Sequence, residues 1–124
     1  MLDYSPLLQV VNGNGVAVIH FPRTDMSEEA ALAVGRQLCA LAEAPRSRRF
    51  ILDLGDVRCM SSAMLGKLIG FDKRVKQGGG DLALCSLRPD LVAQFERMCL
   101  DRLFHIWPTE EEALGGGRSP IRSW

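Results

Sequence analysis

The sequence predicts an α/β domain: a mixed, mostly parallel sheet of about five strands, packed with about four helices. Two observations lead there. Short apolar runs of strand length alternate with longer segments whose apolar residues recur every three or four positions. The first two strand-like runs flank Asn12-Gly13-Asn14-Gly15, and Asn-Gly is the strongest short hairpin signal because both residues tolerate positive φ. The sheet should therefore carry an antiparallel edge at its N-terminal end. A chain of 124 residues is one ordinary domain, expected over 1–114 with a loose tail over 115–124.

The elements follow in order. Leu7 to Val11 and Val16 to Phe21 are the hairpin strands, the second ended by Pro22. Thr24 to Ser27 starts a helix. Asp25 or Ser27 is placed to cap it, and Glu28 and Glu29 suit its positive end. Ala31, Val34, Leu38 and Leu41 form its apolar row, with Leu32, Cys39 and Ala42 alongside, and Ala44-Pro45 ends it. Arg46 to Arg49 is a basic turn, read as a solvated loop before an anion site. Phe50 to Leu54 is a buried-type strand. Gly55-Asp56 turns the chain, and Val57 to Met60 leads into a helix over about Ala63 to Lys76. Its apolar positions are Met64, Leu65, Leu68, Ile69 and Val75. Gln77-Gly78-Gly79-Gly80 stops it as a C-cap, not as a phosphate cradle, since no GK[ST] follows. Leu82 to Cys85 is the next strand. Pro89 opens a third helix burying Leu91, Val92, Phe95 and Met98. Leu103 to Trp107 is a last strand, and Thr109-Glu110-Glu111-Glu112 is a capping box for a short helix through Leu114.

Composition excludes several classes of function. With 47 % hydrophobic residues a packed core is expected. Fifteen basic residues balance fifteen acidic ones, which argues against a generally basic nucleic-acid binder. The longest apolar runs, such as Val16 to Ile19, fall far short of the ~20 residues of a membrane span. The start of the chain has neither a basic segment nor an apolar signal core, so a cytoplasmic protein is expected. Cys39, Cys59, Cys85 and Cys99 form no CxxC pair, and His20 and His105 lie in no ligand motif. Reduced thiols, no metal and no cofactor are the expectation.

Chemistry in open α/β sheets gathers where strands end and helices begin. Asp53 to Gly66 is that junction, holding Asp53, Asp56, Ser61 and Ser62. No GxSxG elbow is present, no base accompanies the serines, and nothing visible perturbs Asp53 or Asp56, so no catalysis is expected. A phosphate-receiving aspartate domain is disfavoured too. It needs an acidic pair after an early strand and a lysine after a later one, where this chain has Pro22-Arg23-Thr24-Asp25 and Ser86-Leu87-Arg88. A serine at a helix start faces free N–H groups and the positive dipole end, so it can cap the helix or carry a phosphate. Spacing alone favours the cap.

At this junction the chain resembles a known family. Ile51-Leu52-Asp53-Leu54 followed by Val57-Arg58-Cys59-Met60-Ser61-Ser62-Ala63-Met64-Leu65-Gly66 looks like the signature of STAS domains, which include the bacterial anti-sigma factor antagonists. That signature is a hydrophobic strand, a turn, then Asp-Ser-Ser/Thr-Gly-Leu-Gly opening a helix. Gly79 to Cys85 is similar to the family's glycine turn and next strand, and Leu100 to Trp107 with Thr109 to Leu114 to its C-terminal end. The resemblance spans about Leu7 to Leu114 and implies a STAS-like fold.

It also implies a mechanism. Antagonists of this kind bind an anti-sigma factor that is also a serine kinase, and phosphorylation of one serine at the start of the second helix ends the complex. Ser62 matches that serine. Ser61 stands where the family has aspartate, Ala63 where it has the second Ser/Thr, and Met64 where it has glycine; Leu65 and Gly66 are unchanged. The implied partner surface is Met60, Ser61, Ser62, Ala63, Met64 and Gly66, with Met60, Ala63 and Met64 as an exposed apolar face. Two alternatives share these residues. One is a scaffold subunit without the phosphorylation step, in a stress-signalling complex or lipid-transport machinery. The other is a nucleotide or small-anion binder using Arg23, Arg58 and Lys67.

Overall fold

A computed structural model describes residues 8–21, 25–26, 28–43 and 48–115. The hairpin is β1 (Gln9–Gly13) and β2 (Val16–His20), joined at Asn14 and Gly15 with φ of 54° and 79°. Two consecutive positive-φ residues make the tight turn whose twist matches that of the strands. A two-residue strand β3 (Asp25–Met26) precedes α1 (Glu28–Glu43). β4 (Arg49–Asp53), β5 (Cys59–Met60), α2 (Ser62–Gln77) and β6 (Asp81–Cys85) follow, then α3 (Pro89–Arg97), a 3₁₀ turn (Leu100–Arg102), β7 (His105–Trp107) and α4 (Glu110–Gly115).

The main sheet runs β1-β2-β4-β6-β7, antiparallel only between β1 and β2. Each parallel step adds a strand on the same side of its predecessor. Right-handed crossovers then put α1, α2 and α3 on one face, over a core containing Val34, Leu38, Leu52, Leu68, Leu84 and Phe95. Edge-to-face contact of Phe50 and Phe71, centroids 5.3 Å apart, ties β4 to α2. The other face carries a smaller cluster of Val18, Ile51, Ala83, Cys85 and Trp107 beneath Ala113 of α4. Thr109 caps α4 by accepting from the Glu112 N–H at 3.1 Å.

α2 ends as the glycine run suggests. Gly79 has φ of +84°. Its N–H donates to the Lys76 carbonyl at 3.0 Å, while that of Gly80 reaches Val75 at 2.8 Å, the paired bonds of a Schellman motif. The basic turn is used for structure. Arg48 Nη2 donates to the Gly79 carbonyl at 3.3 Å, and Arg49 Nη2 to Ala113 at 2.8 Å, closing the C-terminal end of α4.

Several expectations change. Asp25, expected at the helix start, lies in a strand, paired with Cys59 in a separate two-stranded parallel sheet, β3-β5. Ser27, Ala44 to Ser47 and Leu7 lie outside the described residues, as does the expected tail beyond Gly115, which itself ends α4. Leu32 is exposed, on the far side of α1 from Val34 and Leu38. Met98 is exposed because α3 stops at Arg97 and Cys99 turns the chain with φ of 59°. Leu103 is exposed and precedes the last strand, which starts at His105. Asp72, on the inner side of α2, is buried. Its Oδ2 meets Lys76 Nζ at 3.1 Å, while Oδ1 has no partner among the described residues.

Candidate functional site

The segment from Asp53 to Gly66 is built by hydrogen bonds reaching back to the sheet and across to α3. Asp53 Oδ1 accepts from the Gly55 N–H at 2.9 Å, folding the turn onto the end of β4. Arg88 Nε donates to the Gly55 carbonyl at 3.1 Å. Gln94 of α3 grips Met60 on both sides: its Oε1 accepts from the Met60 N–H at 3.3 Å, and its Nε2 donates to the Met60 carbonyl at 2.9 Å. These bonds and the pairing of β5 with β3 fix where α2 begins.

The two serines divide the work. Ser61 is the N-cap, with extended backbone (φ −71°, ψ 162°), and its Oγ accepts from the Met64 N–H at 3.1 Å. Ser62 is the first helical residue and is exposed, and its hydroxyl makes no hydrogen bond within the described residues. The first turn of α2 carries no acidic side chain. With serine rather than aspartate at position 61, the capping residue adds no carboxylate to the positive helix end.

The expected apolar contact face does not form. Met60 is 4 % exposed and Met64 0 %. Met64 shares the inner row of α2 with Leu68, Phe71 and Val75, so its side chain points into the core while Ser62 on the same turn stays exposed. Of the implied partner surface, Ser62 and Gly66 are exposed and Ser61 and Ala63 half-buried, with exposed Arg58, Cys59 and Lys67 around them. Gly66 also borders a groove of about 530 Å3 between α1 and α2, lined by Leu32, Arg36, Lys67, Phe71 and Arg74.

On the opposite face of the sheet, sequence reasoning missed a cluster. His20, Asp53 and Glu110 come together, although the sequence reading expected no ligand set. Burial pushes the Asp53 carboxyl above its ordinary value, the Gly55 N–H opposes this, and Glu110 adds to it. Burial also pushes the thiol of neighbouring Cys85 up to about 12, with Asp53 and Glu110 reinforcing the shift. Cys85 is buried, Cys39 half-buried, and Cys59 and Cys99 exposed. At pH 8, a chromogenic disulfide reagent should therefore react quickly with Cys59 and Cys99, slowly with Cys39, and with Cys85 only after unfolding. Simultaneous release of all four thiols from native protein would contradict this burial pattern.

The chain matches the STAS domain family over residues 8–113. It is 22 % identical over 107 residues to an anti-sigma F factor antagonist of Paenibacillus polymyxa, an alignment covering 86 % of this chain and 91 % of that protein. An anti-sigma factor antagonist (STAS) domain protein from Planctomyces limnophilus superposes with a TM-score of 0.77 at 26 % identity, over 86 % of this chain and 93 % of that one. The Bacillus cell-fate determinant SpoIIAA, solved in its phosphorylated form, has the same fold, with a TM-score of 0.67 at 18 % identity over 86 % and 96 % of the two chains. A match covering nearly all the described sequence, on a sheet and helix order of the same kind, places this chain in the STAS domain family.

Proposed function

We propose that the chain is a regulatory protein-binding module of the anti-sigma factor antagonist kind. It binds an anti-sigma factor that is also a serine kinase, and phosphorylation of Ser62 releases it. The observation that carries this reading is the division between the two serines: Ser61 satisfies the helix end, which leaves the exposed Ser62 hydroxyl to a partner's active site. A phosphate there would meet backbone N–H groups with no acidic neighbour in the first turn, so the fold tolerates it. On a docking surface the same group adds nearly two negative charges and opposes contact. The partner surface would run from Arg58 and Ser62 past Gly66 along the α1–α2 groove. The reading gives the chain no catalytic step of its own and places it in the cytoplasm with its partner.

Incubation with the cognate kinase and ATP tests the assignment. One phosphate is expected on Ser62, absent in Ser62→Ala and retained in Ser61→Ala. The Ser61→Ala variant should instead lose about 0.5–2 kcal/mol of stability, the usual cost of a removed N-cap. Phosphate on another residue, or no phosphate from a kinase that binds the chain, would overturn the reading.

A further inference from the structure

We infer that His20, Asp53 and Glu110 form a divalent-metal site on the α4 face of the sheet, suited to Zn2+ or a similar first-row ion. Strand register creates the juxtaposition. His20 ends β2 and Asp53 ends β4, and the two are paired neighbours in a parallel ladder, so their side chains stand together on one face. Glu110 comes from the first turn of α4, set by the Thr109 cap. His20 Nε2 lies 2.9 Å from Glu110 Oε1 and 3.6 Å from Asp53 Oδ2. The three ligand atoms all lie within 4.8 Å of one another.

A plain histidine–carboxylate hydrogen bond accounts for only part of this. Nε2 carries at most one hydrogen, yet two carboxylates from different elements converge on it. A cation satisfies all three. Bonds of about 2.0–2.2 Å to nitrogen and oxygen ligands put those ligands roughly 3–3.5 Å apart, close to the 2.9 and 3.6 Å from His20 Nε2 to the two carboxylates. Asp53 is prepared for the role, since its Oδ1 is held by the Gly55 N–H while Oδ2 faces the cluster, the outer-shell arrangement that orients metal ligands. An open groove of about 270 Å3, bordered by Val11, Val18, His20, Glu110 and Leu114, leads to the site. It gives an ion a way in and leaves room for a water ligand. One imidazole and two carboxylates with an open position suit Zn2+, Mn2+ or Fe2+ better than a soft ion.

Calorimetric titration of the untagged full chain with Zn2+, checked by thermal melting with and without the ion, tests the site. One ion per chain and a raised thermal midpoint are expected. His20→Ala and Glu110→Gln should each weaken binding more than about tenfold. Glu110→Gln preserves side-chain volume, and an unchanged far-ultraviolet spectrum would show that both variants fold. Absence of one-to-one binding would overturn the proposal. So would equal binding by both variants, or binding lost only when Cys59 and Cys99 are replaced by serine.

Discussion

Met64→Gly should destabilise the protein by about 3–5 kcal/mol, although glycine is what the family motif has at this position. Met64 is 0 % exposed and packs in the main core. Truncating a buried methionine removes its transfer energy and leaves a cavity, together about 2–5 kcal/mol. Glycine rather than alanine in the first turns of a helix adds up to about 1 kcal/mol. Chemical denaturation should therefore show a large drop in midpoint with little change in slope. Met64→Leu, which conserves volume, should cost less than about 1.5 kcal/mol. A neutral Met64→Gly would mean that Met64 does not fill the core. The methionine thus belongs to the packing of this chain rather than to partner recognition.

Gly80→Ala should cost about 2–3 kcal/mol, while Gly35→Ala should lie within about 1 kcal/mol of the parent. A Cβ on Gly80 would fall 2.6 Å from the Arg48 carbonyl oxygen and 3.0 Å from Val75 Cγ1. That carbonyl is fixed, since it accepts from the Asp81 N–H at 2.9 Å, and the Gly80 N–H is itself bonded to Val75. Neither side can retreat without breaking the end of α2 or the start of β6. At Gly35 the added Cβ would meet Lys67 Cδ at 2.7 Å, the flexible stem of an exposed side chain that can swing aside. Alanine also improves the helix propensity of α1. Thermal melts of the two variants should differ by about 5–15 °C, and equal midpoints would contradict the close approach at Gly80.

The parts of the fold that read clearly from sequence are those with local causes. Asn14-Gly15 forces a hairpin turn, Pro89 marks the first residue of α3, and Gly78 to Gly80 ends α2. The apolar rows of α1 and α2 set which way those helices face. What escaped had non-local causes. β3 and β5 are two residues each, too short for any periodicity, and exist only because they pair with each other. Met60 packs in the main core, its backbone held by that pairing and by Gln94, which lies far along the chain. Met64 falls on the same helical row as Leu68, so periodicity turns it inward where the expected contact face turned it outward. At the candidate site, the helix start at Ser61 and Ser62 was legible from spacing, but which serine caps and which is exposed needed the cap geometry. His20, Asp53 and Glu110 are brought together by strand register and by the return of α4, and no spacing rule in one dimension joins them.

The central claim concerns Ser62, and the most direct measurement is the affinity of the cognate anti-sigma kinase for the chain before and after phosphorylation at that residue. The account predicts about a hundredfold or greater loss of affinity, as expected when nearly two negative charges are added to a docking surface. The thermal midpoint of the isolated chain should stay within about 3 °C, because the helix end accommodates the phosphate. Equal affinity of the two forms, with Ser62 shown to be phosphorylated, would contradict it.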